Sequence, residues 1–366
     1  MQQFTYLKSK IGARRFLNPE IFHSYLRQEF PDVKVYGYST AGKPIFSLVW
    51  GNGDMKVATW TQMHGNESTG TLAMVDLLSS LTQQPELEEA LKEKIELHIL
   101  FMLNPDGAET WTRANGDGVD INRDFLSSST AEMKLLRKFL SETDFDYGLN
   151  LHDQRTIFTT DGIHPATLSF LSPSADVERS LTRERKMSMA VIAKMYHALS
   201  ENLPNGIGRY TDEFYSGATG DNLMRQRLPN ILFEGGHFPD DYNRTQTRKY
   251  YTLALYEGLV AIVELKGSAE GWELYQDIPL NKETHYDIIY RNVKLATEHE
   301  CTVDIAVQFR EEVNEEKTGL NFVPVVREVG TLNKKKGWQE IDCSGKQYIS
   351  ATTYPKVDEP VNFELI

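Results

Sequence analysis

Four short stretches of this sequence carry side chains of the types that bind a metal ion and move protons. The first is His64-Gly65-Asn66-Glu67. An imidazole and a carboxylate three positions apart, with a glycine between them to permit a tight turn, can converge on one cation. The spacing alone is weak, because His-x-x-Glu arises by chance in a chain of 366 residues. Three more stretches accompany it. Asn104-Pro105-Asp106-Gly107 is followed by Arg113 and by Gly118-Val119-Asp120-Ile121-Asn122-Arg123-Asp124-Phe125. Asn150-Leu151-His152-Asp153 and Leu232-Phe233-Glu234-Gly235-Gly236 come later. Two histidines and one glutamate make an open three-ligand set that leaves a position on zinc for water, and Glu234 is a further carboxylate available as general base.

Each stretch falls at the end of a segment that reads as a β-strand. Asn18-Pro19 predicts a helix start, with the helix running to about Phe30. Lys34–Tyr38, Ile45–Trp50, Lys56–Gln62, Ile95–Leu103, Phe145–Leu151 and Asn230–Phe233 read as strands. Leu72, Val75, Leu78 and Leu81 recur at helical spacing, and 177–199 and 246–265 read as long helices. This alternation predicts an α/β fold, a mixed open sheet with helices on both faces. Ligands of such sheets bind beyond the carboxyl ends of the strands, so the four stretches should meet at one edge. From Gly267 onward only β-type runs appear: 286–293, 302–309, 322–329, 347–352 and 361–366. The expected organisation is a catalytic domain over 1–266 and a β-sandwich domain over 267–366, meeting at an apolar seam.

Together these segments resemble the zinc metallocarboxypeptidases of the carboxypeptidase A type. The resemblance runs from about Tyr36 to Leu265 and includes Gly37-Tyr38-Ser39-Thr40-Ala41-Gly42-Lys43-Pro44-Ile45, similar to that family's early hairpin. It implies one zinc ion per chain, held by His64, Glu67 and His152, with Asp120 orienting the imidazole of His64. It implies that Arg113 stabilises the oxyanion and that Asn122 and Arg123 hold the substrate's terminal carboxylate, for which a guanidinium offers a matching fork. Glu234 would take the proton of the zinc-activated water and pass it to the leaving amine. A tyrosine that closes over substrate has two candidates, Tyr210 and Tyr215, of which Tyr215 is favoured. Asp153-Gln154-Arg155 departs from the aromatic or serine neighbour that the family usually has after its last histidine.

The implied activity is hydrolysis of the C-terminal peptide bond. A zinc-dependent amide deacylase of the succinylglutamate desuccinylase and aspartoacylase type, acting on N-acyl amino acids, is the alternative. It shares the His-Gly-Asn-Glu motif, an Asp-x-Asn-Arg motif and a C-terminal β domain, whereas Asn104-Pro105-Asp106-Gly107 is peptidase-like. Against a non-catalytic binding module stands the complete ligand set with Glu234.

Composition narrows the partners. The 39 basic and 52 acidic residues give a net charge of −13. With no run of five or six Lys/Arg, such a chain is a poor match for a phosphate backbone. No apolar stretch approaches the roughly 20 residues that span a bilayer, and Met1-Gln2-Gln3-Phe4-Thr5 does not open a signal peptide. The expectation is a cytoplasmic protein acting on a peptide or small amide with a free carboxylate, without nucleic-acid or membrane partners. Cys301 and Cys343 are too few for a disulfide framework. His164 and His237 read as structural. Arg225 and Arg227 read as surface residues, or as cations that favour acidic substrate side chains.

Overall fold

The computed structural model describes residues 4–12, 14–295 and 301–366. Part of the signal-peptide reading rests on Met1-Gln2-Gln3, which lie outside the described residues. Helix α1 (Pro19–Glu29) begins as the sequence predicts, with Asn18 accepting hydrogen bonds from the backbone N–H groups of Glu20 and Ile21. Strands β1 (Lys34–Tyr38), β2 (Pro44–Gly51) and β3 (Met55–Thr61) follow, then α2 (Thr69–Thr82), α3 (Pro85–Lys92) and β4 (Ile95–Phe101). Next come α4 (Pro105–Thr110), α5 (Ala131–Ser141), β5 (Tyr147–Asp153), β6 (Phe158–Thr159) and β7 (Leu168–Leu171). Helix α6 (Arg183–Leu199), β8 (Ile207–Arg209), α7 (Thr219–Arg225), β9 (Asn230–Gly235) and α8 (Thr245–Leu265) complete this part.

Eight of these strands form one sheet in the order β1-β2-β4-β3-β5-β9-β7-β8. The centre, β4-β3-β5-β9, is parallel, while β2 and β7 join it antiparallel. Both faces are covered. Val57, Leu97, Leu149 and Phe233 pack with α1, α2, α6 and α8, whereas Ala58, Trp60 and Leu100 pack with Met133 and Leu136 of α5 and Leu223 of α7. Successive side chains of a strand point to opposite faces, so a doubly covered strand must be apolar nearly throughout. Strand β5 is buried over its whole length, and the polar residues at its end are therefore buried too.

Helices α3, α5 and α7 were not read from the sequence, and other details differ as well. Helix α6 starts at Arg183 rather than at 177, because the Thr182 side chain caps it by accepting from the Arg185 N–H. Strands β7 and β8, four and three residues long, are too short for a period to show.

Beyond α8, a 3-10 turn at Trp272–Asp277 places Tyr275 and Ile278 in the main core. The sequence reading found no helix here, since six residues carry no helical period. Strand β10 (Lys282–Glu283) then pairs with β6. We therefore propose the division expected at 266/267 in amended form, between Glu283 and His285. The rest is all-β. Strands β11 (His285–Leu295), β12 (Cys301–Val313), β13 (Leu320–Gly330) and β14 (Lys336–Asp342) form a sheet in the order β13-β12-β11-β14. The pair β15 (Tyr348–Ile349) and β16 (Glu364–Leu365), with Phe363, packs over Val293, Ile305, Val307 and Val326. Edge strand β14 escaped the sequence reading because its residues, largely polar and exposed, lack alternation.

The seam between the two parts is apolar only in part: Tyr242 packs on Phe309 and Phe322, with ring centroids 5.1 and 5.7 Å away, and buried hydrogen bonds accompany these contacts. Asp287 accepts from the hydroxyls of Thr156 (2.9 Å) and Tyr242 (3.0 Å), the Phe309 N–H (2.7 Å) and the Gln308 amide. Glu311 accepts from Trp111 Nε1 (2.8 Å) and pairs with the buried Arg15 (2.8 Å). Trp338 donates to the Thr156 carbonyl (2.9 Å), and its indole lies between the rings of His237 and His285, with centroids 5.0 and 4.0 Å away.

Burial pushes the pKa of His237 down to about 3 and that of His285 to about 4, with Arg244 and Lys336 respectively adding to the effect. Both folded values lie below the unfolded value of about 6.5. Their stabilising contribution is present above pH 6.5 and is lost as pH falls towards 4, because the unfolded chain binds the extra protons. The melting midpoint should therefore drop by at least a few degrees between pH 7 and pH 4.5, where about 1 kcal/mol corresponds to roughly 2–4 °C for large domains. The drop should be smaller in His237→Gln/His285→Gln. An equal drop in the double variant would show that these two groups do not govern the acid response.

Candidate functional site

The site begins where β3 ends. Gln62 takes a left-handed backbone (φ 52°) and its side-chain amide donates to the Gly65 carbonyl at 2.8 Å, which folds the chain back on itself. A Cβ on Gly65 would lie 1.9 Å from the Gly107 carbonyl carbon, so only glycine lets these two loops interlock. Asn104 fastens the assembly. Its oxygen caps α4 by accepting from the Gly107 N–H (2.8 Å), and its amide donates to the carbonyls of Met63 (3.3 Å) and Ala114 (3.2 Å). The first two sequence stretches and the loop that carries Arg113 are thus one unit.

On that unit His64 and Glu67 meet His152 from the end of β5. Glu67 Oε1 lies 2.8 Å from His64 Nδ1, Glu67 Oε2 lies 2.7 Å from His152 Nδ1, and the two Nδ1 atoms are 3.1 Å apart. All three residues are buried. Among the described residues this is the one such cluster of potential metal ligands. Ligand atoms about 2.0–2.2 Å from one tetrahedral zinc lie roughly 3–3.5 Å apart, so the trio fits a single zinc ion with little movement. Arg113 Nη1 now approaches the same space, 3.2 Å from His64 Nδ1 and 3.4 Å from Glu67 Oε1. The charge of Glu67 is kept despite burial: its pKa is lowered, as His64 and His152 outweigh desolvation.

Asp120 links two of the participants. Its Oδ1 accepts from the Asn122 N–H (2.9 Å) and faces His64 Nε2 (3.2 Å), while its Oδ2 accepts from Arg113 Nε (2.9 Å). Burial opposes the charge, but His64 and Arg113 hold this carboxyl well below the usual range. Glu234, the register partner of His152 on β9, has an enclosed Oε2 with no hydrogen-bond partner. Burial, and after it the charges of Glu67 and Asp153, push its pKa well up. A carboxyl with raised pKa beside a metal-type cluster is suited to proton transfer.

Asn122, Arg123, Tyr210 and Tyr215 line the same cavity of about 1420 Å³. Asn122 accepts from the Thr219 N–H (3.1 Å), and the Arg123 guanidinium lies 5.4 Å from the ring of Tyr215, which is 53% exposed. Tyr210 is far more enclosed. Burial, followed by Glu234 and Glu67, raises its pKa well above 10. Arg225 and Arg227 are exposed and do not line the cavity.

Several lining residues had no signal in the sequence. Asp221 in the first turn of α7 is one, its pKa raised by burial to about 6. The others come from the β part: Tyr286, Phe309, Arg310, Glu311, Arg327 and Lys335. They are close to the cavity only through tertiary packing. Among the described residues, no helix is long and apolar enough to cross a membrane.

Comparison with known proteins agrees with this geometry. Carboxypeptidase SOL1 of Arabidopsis thaliana is 26% identical over 169 residues, 40% of this chain and 33% of that protein. Murein peptide amidase A of Escherichia coli is 28% identical over 122 residues, 31% of this chain and 44% of that protein. The chain thus spans less than half the length of these curated relatives. The fold is similar to that of carboxypeptidase A from Helicoverpa armigera, with a TM-score of 0.55 and 18% identity over 68% of this chain and 74% of that one. The family described as zinc carboxypeptidase matches residues 21–227, more than half of the 366 residues, and the chain belongs to that family.

Proposed function

We propose that this chain is a zinc-dependent carboxypeptidase that hydrolyses the C-terminal peptide bond of peptides with a free α-carboxylate. The observation that carries the reading is the meeting of His64 Nδ1, Glu67 and His152 Nδ1 at separations of 2.7–3.1 Å, with Glu234 and Arg113 beside them. Zinc, when bound, supplies a Lewis acid and brings the pKa of a water down to about 7. Glu234 takes the proton of the attacking water and returns it to the leaving amine. Its raised pKa suits a group that must both accept and donate near neutrality. Arg113 donates to the carbonyl oxygen as charge develops there, and Asp120 holds both that guanidinium and the His64 ring in position. Asn122 and Arg123 hold the terminal carboxylate, and Tyr215, beside Arg123, closes over it.

A deacylase of N-acyl amino acids is the second reading, favoured by the β part forming one wall of the cavity. The size of the cavity argues for the peptidase. At about 1420 Å³ it exceeds the roughly 300–1,000 Å³ of small-molecule pockets and leaves room for a peptide upstream of the cleaved bond.

His152→Ala should lose most of its zinc by elemental analysis, and stoichiometric zinc in that variant would refute the ligand assignment. Glu234→Gln should keep its zinc but lose about 10²–10⁴-fold in kcat. Near-normal turnover would remove Glu234 from the mechanism.

Peptides with a free C-terminus should outpace their C-terminal amides by at least about tenfold in kcat/KM. A charge-assisted bond of about 1.5–3 kcal/mol is lost in the amide, and each 1.36 kcal/mol is a factor of ten. Mass spectrometry of tri- and tetrapeptides should show loss of the final residue. If they are inert while N-acetyl or N-succinyl amino acids turn over, the deacylase reading replaces this one.

A further inference from the structure

The C-terminal sheet forms a wall of the cavity, and its chemistry is uneven. We infer that this wall binds the part of the peptide upstream of the cleaved bond and favours acidic residues there; the inference rests on the carboxypeptidase reading above. Tyr286, Phe309, Arg310, Arg327 and Lys335 line the cavity from the β part. The side assigned to the terminal carboxylate is a different one: Asn122 is tied to Thr219 and Arg123 lies against Tyr215. The β wall is tied instead to Trp111, Thr156 and Tyr242. Thr156 lies four residues past His152 and Trp111 two residues before Arg113, so the wall starts where those segments leave the His64–Glu67–His152 cluster. A peptide with its last carboxylate on Arg123 and its last peptide bond at that cluster continues towards this wall.

The acidic groups of the β part are occupied from within, whereas Glu283 just before it is 61% exposed and lies 3.6 Å from Arg155. Asp287 has four donors, Glu311 has Trp111 and Arg15, and Glu328 is held by the Tyr286 hydroxyl. The cations are differently placed. Arg310 pairs with Glu312 (2.7 Å) and Arg327 with Asp358, and those two carboxylates are 46% and 70% exposed. Exposed pairs of this kind contribute little and exchange readily for another anion. The Lys335 ammonium sits 6.0 Å from the Tyr286 ring centroid. Within a cavity whose lining as a whole is balanced in charge, the β part thus presents three cations and two aromatic rings, its own carboxylates Asp287 and Glu311 being already paired. Such a surface complements a peptide that carries carboxylates, and the attraction should be salt-sensitive.

The test uses N-acetylated pentapeptides with a common C-terminal dipeptide and either Asp or Lys at the three upstream positions. Binding is measured by calorimetry on zinc-loaded Glu234→Gln, and cleavage by zinc-loaded wild type. The acidic peptide should bind about tenfold more tightly at low salt and less selectively at high salt, with the same preference in kcat/KM. The preference should fall towards unity in Arg310→Gln/Arg327→Gln and invert in Arg310→Glu/Arg327→Glu. Equal binding of the two peptides, or an unchanged preference in both double variants, overturns the inference even if both peptides are cleaved. Charge-selective binding without any cleavage by wild type supports the wall and instead refutes the carboxypeptidase reading.

Discussion

Two imidazole nitrogens 3.1 Å apart, sharing one carboxylate in a buried space, are the arrangement that the rest of this fold has to maintain. Left to themselves, the lone pairs repel and the carboxylate loses hydration, and a low-dielectric interior magnifies both effects. The partners are also far apart in sequence, at positions 64, 67 and 152. Parallel pairing solves the distance. Strands β3 and β5 run side by side with Thr61 opposite Leu151, so His64 and His152 both emerge just past the last paired residues. Strand β9 adds Glu234 directly opposite His152. Had β5 been antiparallel to β3, its end would lie at the far edge of the sheet.

Strand ends fray unless they are held, and here buried charges hold them. Asp153 Oδ2 accepts from the Thr69 hydroxyl (2.7 Å) and N–H (3.2 Å), which ties the end of β5 to the start of α2, two residues from Glu67. The buried guanidinium of Arg244 donates to the carbonyls of Gly235 and Gln154 and so bridges the ends of β9 and β5. The price of this arrangement is a crowd of carboxylates, Glu67, Asp153 and Glu234. Arg244 and Arg15 stand against them. Burial, and then Arg244, lowers the Arg15 pKa to about 10, yet it stays charged at neutral pH. Burial, and after it the negative charge of Glu67 and Asp153, raises the pKa of Glu234, so the same crowding that threatens the fold helps to produce a group suited to proton transfer.

How much of this could be read from the sequence follows from the range of each interaction. The central strands and long helices were legible because a sheet packed on both faces requires apolar runs with clear lengths, and α1 announced itself through Asn18-Pro19. The chemistry-bearing residues were legible because each lies within a few positions of a strand end, where α/β topology makes positions predictable. What escaped is non-local or very short. Nothing in Lys336–Asp342 marks an edge strand, since its pairing with β11 comes from the other side of a hairpin sheet. The polar part of the seam was invisible because Asp287, Gln308 and Glu311 look like ordinary exposed strand residues until Thr156, Tyr242, Trp111 and Arg15 are brought to them.

That seam changes what the C-terminal part is. An apolar interface can slide or separate with a graded loss of buried area, whereas one built on Asp287 and Glu311 exposes or strands buried donors if it shifts at all. Buried hydrogen bonds of this kind oppose a shift of one part against the other, and they stand at the margin of the cavity. The family match ends at residue 227, short of both Glu234 and the β part. The half of the cavity that holds the His64–Glu67–His152 cluster lies inside the matched region, and the facing wall lies outside it. The family match thus covers the His64–Glu67–His152 cluster, while Glu234 and the β part that faces the cluster lie beyond it. On the carboxypeptidase reading proposed above, substrate preference is to be sought in the β wall as well as in the matched residues, because the matched residues line only part of the cavity.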